Sequence, residues 1–364
     1  MALQVGIIGL PLVGKTTIFN ALTGAGAESA AYSKASTKPN IGIAHVPDAR
    51  PETIHQFIET DRVVPATIQV VDVAGLVRGA STGQGLGNKF LAHIRDMDAI
   101  LHVVRCFESD EVAHVDGSID PVRDIDTVET ELILADLEQV ETSLDKAGRA
   151  ARSGDKETIA RAEIFKKAVA YLGEGRPVRD LHLTPEQKRI LKGMGLFTAK
   201  KTLFVANVGE NDIHGQSDMV QKLRQRAGKE GSPAVAACGK LEAEIAELSE
   251  NDRGEMLQGM GLDEPALAML AREAYKLLGL HSFFTAGPVE IKAWTIPIGA
   301  TAPQAAGAIH SDFERGFIRA EIYSLNDLVE YKTEAEIKHH GKLRVEGKNY
   351  TMRDGDIAYF LFNV

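Results

Sequence analysis

Eight residues near the start of the chain, Gly9-Leu10-Pro11-Leu12-Val13-Gly14-Lys15-Thr16, follow the spacing G-x-x-x-x-G-K-[ST]. Each fixed position has a chemical task. Glycines let successive main-chain N–H groups turn toward one anion, and a helix that follows adds the partial positive charge of its N-terminus. Lys15 can reach the β- and γ-phosphates of a nucleotide, and the Thr16 hydroxyl can ligate Mg²⁺. The predicted cradle runs through Leu12, Val13, Gly14, Lys15, Thr16 and Thr17. Nucleotide binding is the chemistry implied. A second signature, Asp72-Val73-Ala74-Gly75, follows about 60 residues downstream as D-x-x-G. Its carboxylate can hold Mg²⁺ through water, and the Gly75 amide can meet the γ-phosphate. Alone this motif is weak, but at the end of a strand downstream of a phosphate loop it is strong.

These groups need a scaffold. Leu3–Ile8 is a short apolar run suited to a buried strand, and Thr17–Leu22 begins a helix. Extended stretches are predicted at Ile41–Val46, Ala66–Asp72, Asp98–Cys106, Thr202–Asn207 and Ala234–Cys238. Strands separated by helices imply a doubly wound α/β sheet with its ligand at the carboxyl ends of the strands. The run Gly75–Gly87 is dense in glycine and suits a segment that reorders when a γ-phosphate leaves. From about 127 to 200, Leu132, Leu134, Leu137, Val140 and Leu144 recur at helical spacing, and a second run continues through Ile164, Phe165, Val169 and Leu172. An antiparallel helical arm inserted into the sheet domain fits this pattern, either as a structural hairpin or as a partner-binding element. From His281 the composition changes. Strands at Ile291–Ile296, Phe317–Ile322 and Ile357–Phe362, with short helices at Ala302–His310 and Asn326–Val329, indicate a small α+β domain.

The totals bound the class. The 364 residues, 44% hydrophobic and 25% charged, are those of an ordinary globular protein of two or three domains. No apolar run approaches a membrane span, and no basic-then-apolar leader opens the chain, so a cytoplasmic protein with no membrane partner is expected. A net charge of −10 argues against indiscriminate nucleic-acid binding by the whole surface. The two cysteines, Cys106 and Cys238, read as buried free thiols, with a redox switch as the alternative.

The motifs together resemble an Obg-family P-loop NTPase of the YchF type, the Obg-like ATPases. The resemblance rests on Gly9–Thr16, Lys38-Pro39-Asn40, Asp72–Gly75 with the glycine-rich run to Asn88-Lys89-Phe90, Asn207-Val208-Gly209-Glu210, Ala293–Gly307 and the ending Phe362-Asn363-Val364. It implies a nucleotide-binding G domain over 1–126 and 201–280, a helical coiled-coil arm over 127–200 and a β-grasp TGS domain over 281–364. A single-chain protein is expected. Two residues depart from the family loop, usually G-L-P-N-V-G-K-S: Leu12 stands for Asn and Thr16 for Ser. Thr16 keeps the hydroxyl. Leu12 removes an oxygen that related enzymes use to hold K⁺, so no K⁺ stimulation is expected. Counting from Pro39-Asn40, the family's switch threonine, a Mg²⁺ ligand, falls at Ser36, with Thr37 beside it as the alternative.

GTPases of this fold read guanine with N-K-x-D, and the counterpart here is Asn207-Val208-Gly209-Glu210. The lysine stem is missing and the carboxylate is one methylene longer. Adenine presents an acceptor at N1, which suits a main-chain N–H such as that of Val208 better than a carboxylate. Asn207 is a candidate for the N7/N6 edge. The resemblance likewise implies ATP over GTP, and a guanine-accepting site is the alternative. Leu76 follows the D-x-x-G motif, where many GTPases carry the glutamine that orients water. His114 is the candidate substitute, at a position where the resemblance implies a mobile histidine loop. On the residues alone, His114 also reads as a solvated loop residue, and His93 as structural. With no arginine finger in view, turnover nearer the unassisted range of about 10⁻⁴–10⁻² s⁻¹ is expected.

A slow NTPase with a γ-phosphate-sensing loop works as a switch, and its output must lie in the added domains. The C-terminal region carries Lys332, Lys338, His339, His340, Lys342, Arg344 and Lys348 among acids, which composition alone reads as an ordinary charged surface. The resemblance implies contact with the ribosome or its subunits, with RNA met through the TGS domain or the arm. A nucleotide-stabilised scaffold without catalysis is the remaining alternative.

Overall fold

The computed structural model describes residues 3–24, 40–73, 86–152 and 154–363, without the side chains of 86–90. In chain order the elements are β1 (Gln4–Ile8), α1 (Lys15–Thr23), β2 (Asn40–Val46), α2 (Arg50–His55), β3 (Val63–Val64), β4 (Ala66–Asp72), α3 (Leu86–Arg95) and β5 (Ala99–Cys106). Then follow α4 (Pro121–Ala151), α5 (Lys156–Gly173), α6 (Pro185–Lys192), β6 (Lys201–Val208), α7 (Asp218–Lys229), β7 (Ala234–Ala237), α8 (Gly239–Glu247), α9 (Glu250–Gly259) and α10 (Ala266–Leu277). The C-terminal elements are β8 (Leu280–Ala286), β9 (Ile291–Pro297), α11 (Ala302–Ile309), α12 (Ser311–Arg315), β10 (Phe317–Ser324), α13 (Leu325–Tyr331), α14 (Glu334–His339), β11 (Arg344–Glu346) and β12 (Asp356–Phe362). The chain divides into two compact units, Met1–Gly42 with Gln69–Leu270 and Ile43–Ile68 with Ala271–Val364.

The first unit is built on a sheet ordered β2-β4-β1-β5-β6-β7. β1 runs parallel to both β4 and β5, β5 is parallel to β6, and β6 is parallel to β7. Every residue of β5 is buried, as expected of a strand covered on both faces. This is the doubly wound α/β architecture expected from the alternating pattern. Val104 and Phe204 from the strands pack with Val220, Leu223, Leu241 and Ile245 from α7 and α8 on one face.

α4 is the longest helix, 31 residues, and it starts earlier than the apolar spacing indicates. Asp120 caps it by accepting from the N–H groups of Val122 and Arg123, and Pro121 fills the first turn. α5 returns along it, and Ile133, Val140 and Ala147 pack against Ile164, Phe165, Ala168 and Leu172. The hairpin is seated by buried polar groups. Asp136, fully buried, accepts from Phe197 N–H at 2.9 Å, Thr198 N–H at 2.8 Å and the Thr198 hydroxyl at 2.6 Å. Arg226 on α7 donates to Glu129 on α4 at 2.6 Å and to Asp126 at 3.0 Å, and Arg179 donates to Glu230 at 2.5 Å. Among the described residues no helix is long and apolar enough to cross a membrane.

The second unit holds a mixed sheet ordered β11-β10-β12-β8-β9-β3. β10 is antiparallel to both β11 and β12, β8 is antiparallel to β9, and β12 is parallel to β8. Ala302, Ala305 and Ala306 of α11 pack into a core with Phe283, Ile296, Phe317 and Phe360. Small side chains let this helix lie close to the sheet. Residues 43–68 join this unit although they lie far upstream, because β3 pairs with the start of β9.

Candidate functional site

β1 delivers the chain to the phosphate loop, and two glycines let it turn. Gly9 sits at φ +149°, where a Cβ would come within 2.3 Å of the Val103 carbonyl. Gly14 sits at φ +93°, where a Cβ would come within 2.2 Å of Asn207 Nδ2. Leu12 is a non-glycine residue at φ 63°, a left-handed conformation that favours glycine or asparagine, and its side chain is exposed. Lys15 is buried. Its ammonium donates to the Leu10 carbonyl at 2.7 Å, so the loop carbonyl satisfies the cation. Burial pushes its pKa down to about 8, with the nearby Asp72 carboxylate pulling the other way.

Thr16 donates its hydroxyl to Asp72 at 2.9 Å, joining the start of α1 to the end of β4. Burial raises the Asp72 pKa above the ordinary carboxylate value, and the Thr16 hydrogen bond and the Lys15 charge offset part of that rise. An alcohol and a carboxylate oxygen side by side are the donors a hard divalent cation prefers, so these two residues fit Mg²⁺. The other expected ligand, Ser36, and the γ-phosphate amide of Gly75 lie outside the described residues, as do Thr37 and Leu76.

A cavity of about 950 Å³ opens over this loop. Leu12, Gly14, Lys15, Thr16 and Thr17 line its phosphate end, and Asn207, Val208 and Glu210 line the other. Val13 and Asp72 lie behind the wall, the first buried and the second reached through Thr16. The Asn207 side chain is 5% exposed, and its carboxamide is largely committed to the scaffold. Nδ2 donates to the Val13 carbonyl at 2.9 Å, and Oδ1 accepts from Gly239 N–H at 3.0 Å. Glu210 Oε1 meets Lys240 Nζ at 2.6 Å. Lys240 in α8 and Cys238, the residue that precedes that helix, are wall residues that the motif search does not find, because they come from another part of the chain. Both cysteines are free and buried, and burial lifts the Cys106 thiol to about 12.

The loop after β5 forms a further wall through Phe107, Glu108, Ser109, Glu111, Val112 and Ala113. Arg105, fully buried, shapes this loop by donating to the Phe107 carbonyl at 3.1 Å and the Val112 carbonyl at 2.9 Å. His114, the next residue, is not among the lining residues. Its ring turns to α4, where Nε2 lies 2.8 Å from Asp124 Oδ2. In the second unit Arg344 donates to Asp356 at 3.0 Å and to the Tyr350 hydroxyl at 3.0 Å, so it is a structural cation rather than part of a free basic face.

A family model named YchF-GTPase_C and described as a protein of unknown function matches residues 280–363, and one described as 50S ribosome-binding GTPase matches residues 4–136. "Ribosome-binding ATPase YchF" of Pasteurella multocida is 47% identical over 364 residues, all of both chains. The protein of the same name from Bacillus subtilis is 45% identical over 366 residues, again all of both chains. The structure of the Schizosaccharomyces pombe YchF GTPase, 34% identical, superposes with a TM-score of 0.87 over 99% of this chain and 97% of that one. Likeness that extends end to end at this identity, through both sheets, makes the chain a member of the YchF family.

Proposed function

We propose that the chain is an ATP-binding, slowly ATP-hydrolysing switch that acts on the ribosome or its subunits. The observation that carries the choice of base is the commitment of the buried Asn207 carboxamide to the scaffold. Glu210 is paired with Lys240 at 2.6 Å, and Asn207 spends its oxygen and one N–H on the scaffold. Guanine would ask a carboxylate to accept from N1–H and the exocyclic amine. Adenine asks for a donor at N1, for which the main-chain N–H of Val208 is our candidate, with the remaining Asn207 N–H for the N7 edge.

Lys15 exchanges the Leu10 carbonyl for phosphate oxygens on binding, which replaces a neutral acceptor with a charged one. Thr16 and Asp72, with Ser36 as a further candidate, would hold Mg²⁺, which would supply neutralisation of phosphate charge. The main-chain N–H groups of Leu12 to Thr17 and of Gly75 orient the triphosphate. His114 positions the attacking water, since Leu76 cannot. A single water-positioning group, with no arginine lining the cavity among the described residues, supports slow turnover.

The relatives' printed name, ribosome-binding ATPase, supports the ribosomal partner. Co-sedimentation with ribosomal subunits tests the switch. Binding in ATP that weakens in ADP is expected, and Lys15→Ala abolishes the difference. Equal binding in both nucleotides, with no ATP hydrolysis by the purified chain, would leave only a scaffold.

A further inference from the structure

We propose that Asp124 is a positioning residue for hydrolysis: it stores the His114 ring away from the nucleotide cavity and releases it when the loop moves. The proposal rests on the reading of His114 as the group that positions water. Both ring nitrogens are occupied. Nδ1 accepts from Asp116 N–H at 3.1 Å, which assigns the proton to Nε2, the nitrogen 2.8 Å from Asp124 Oδ2. In this arrangement the ring has neither a lone pair nor an N–H for a water molecule. The two side chains are 5% and 2% exposed, so solvent does not compete for the contact.

Asp124 is held firmly enough to act as a catch. It lies in the first turn of α4, begun by the Asp120 cap. Its second oxygen accepts from Arg123 Nη2 at 2.9 Å and Nε at 3.2 Å, and Arg123 donates in turn to the Ser118 carbonyl at 2.5 Å. The His114, Asp116 and Asp124 ligand atoms lie within 4.8 Å of one another, a spacing that could hold a cation. Arg123 already brings positive charge to two of them, at 2.9 Å from Asp124 and 3.7 Å from Asp116. The loop is poised on the other side, because Ala113 lines the cavity and His114 is one residue beyond. Bound phosphate need only shift the end of this loop to bring the ring to the wall.

Neutralising Asp124 replaces a charge-assisted hydrogen bond with one about half as strong. In Asp124→Asn, kcat for ATP should rise about three- to tenfold while KM stays unchanged. The same substitution in a His114→Ala background should do nothing. A folded Asp124→Asn protein with wild-type or lower kcat overturns the proposal, and so does a rise that persists without His114. The wild-type protein gives an independent readout. Histidine ¹⁵N spectra should show a protonated, hydrogen-bonded Nε2 without nucleotide, and this signature should be lost with a non-hydrolysable ATP analogue and Mg²⁺. Persistence of the resting signature in that complex overturns the proposal even if the variant does not fold. Wild-type hydrolysis by His114→Ala would remove the underlying role of His114, and the spectra distinguish that outcome from failure of the catch alone.

Discussion

Asn207 Nδ2 donates to the Val13 carbonyl at 2.9 Å, tying the end of β6 to the middle of the phosphate loop. The same carboxamide accepts from Gly239 N–H, so one buried side chain fixes three segments that form the cavity. A residue that sequence reading assigns to the base is, in the structure, first a brace for the loop.

Asn207→Leu would fill the volume but leave the Val13 carbonyl and the Gly239 N–H unpaired. Unfolding free energy should fall by about 2–4 kcal/mol, the cost of two buried unsatisfied groups. ATP affinity should fall with it, because the loop amides are no longer held in register. Urea denaturation and calorimetry on the same preparation check both. Unchanged stability would mean that the carboxamide braces nothing.

Leu12 carries the one left-handed non-glycine conformation among the described phosphate-loop residues, at φ 63°. Leu12→Asn should stabilise the nucleotide-free protein by up to about 1 kcal/mol, since asparagine tolerates this region. It also restores the side-chain oxygen that Leu12 lacks. Hydrolysis by the wild type should be the same in KCl and NaCl, whereas the variant should gain stimulation by K⁺. A tenfold K⁺ effect in the wild type would contradict this account of Leu12.

Asp136 supports the helical hairpin by accepting from three donors while fully buried. Asp136→Ala strands those donors and should cost about 3–5 kcal/mol, against a smaller loss for Asp136→Asn, which keeps an acceptor oxygen. Thermal and urea unfolding of the two variants measure the difference. Equal losses would show that the acceptor oxygen kept by asparagine contributes nothing and that the full carboxylate is required.

His102 is buried in β5, and burial lowers its pKa to about 3, with the Lys15, Arg179 and Arg226 charges adding to the effect. The unfolded chain therefore holds more protons than the folded chain between pH 6.5 and about 3. The stability that the neutral ring contributes is complete above pH 6.5 and is lost as pH falls through that window, at up to about 1.4 kcal/mol per pH unit. Between about pH 7 and pH 5, His102→Leu should lose about 1–2 kcal/mol less stability than the wild type. Equal acid loss in the two proteins would show that the ring is not buried neutral.

The phosphate grip is legible in the sequence because its residues are contiguous: Gly9 to Gly14 turn between β1 and α1, Lys15 and Thr16 open the helix, and Asp72 ends the neighbouring parallel strand. β5 reads as a buried strand because Ile100, Leu101, Val103 and Val104 dominate it despite His102 and Arg105, and the other strands of the first sheet carry similar apolar stretches. Contacts set by tertiary packing are not legible in this way. The Lys240–Glu210 pair, the Asn207 brace and the Asp124–His114 contact each join segments whose approach no local pattern encodes. The leucine spacing places the start of the arm near residue 127, whereas α4 begins at Pro121, where Asp120-Pro121 supplies a cap signal that the spacing does not weigh. β3 and β11, of two and three residues, carry no period to detect, and β8 (Leu280–Ala286) is also absent from the sequence reading, its apolar Phe283-Phe284 pair being too short a run to mark a strand.

The purine decides the account. Titrating the nucleotide-free protein with ATP and with GTP, each with excess Mg²⁺, in one calorimeter run at matched concentrations compares the two bases at the same cavity. ATP binding at least tenfold tighter than GTP is predicted. A tenfold preference for GTP, or no binding of either at millimolar Mg²⁺, would contradict it.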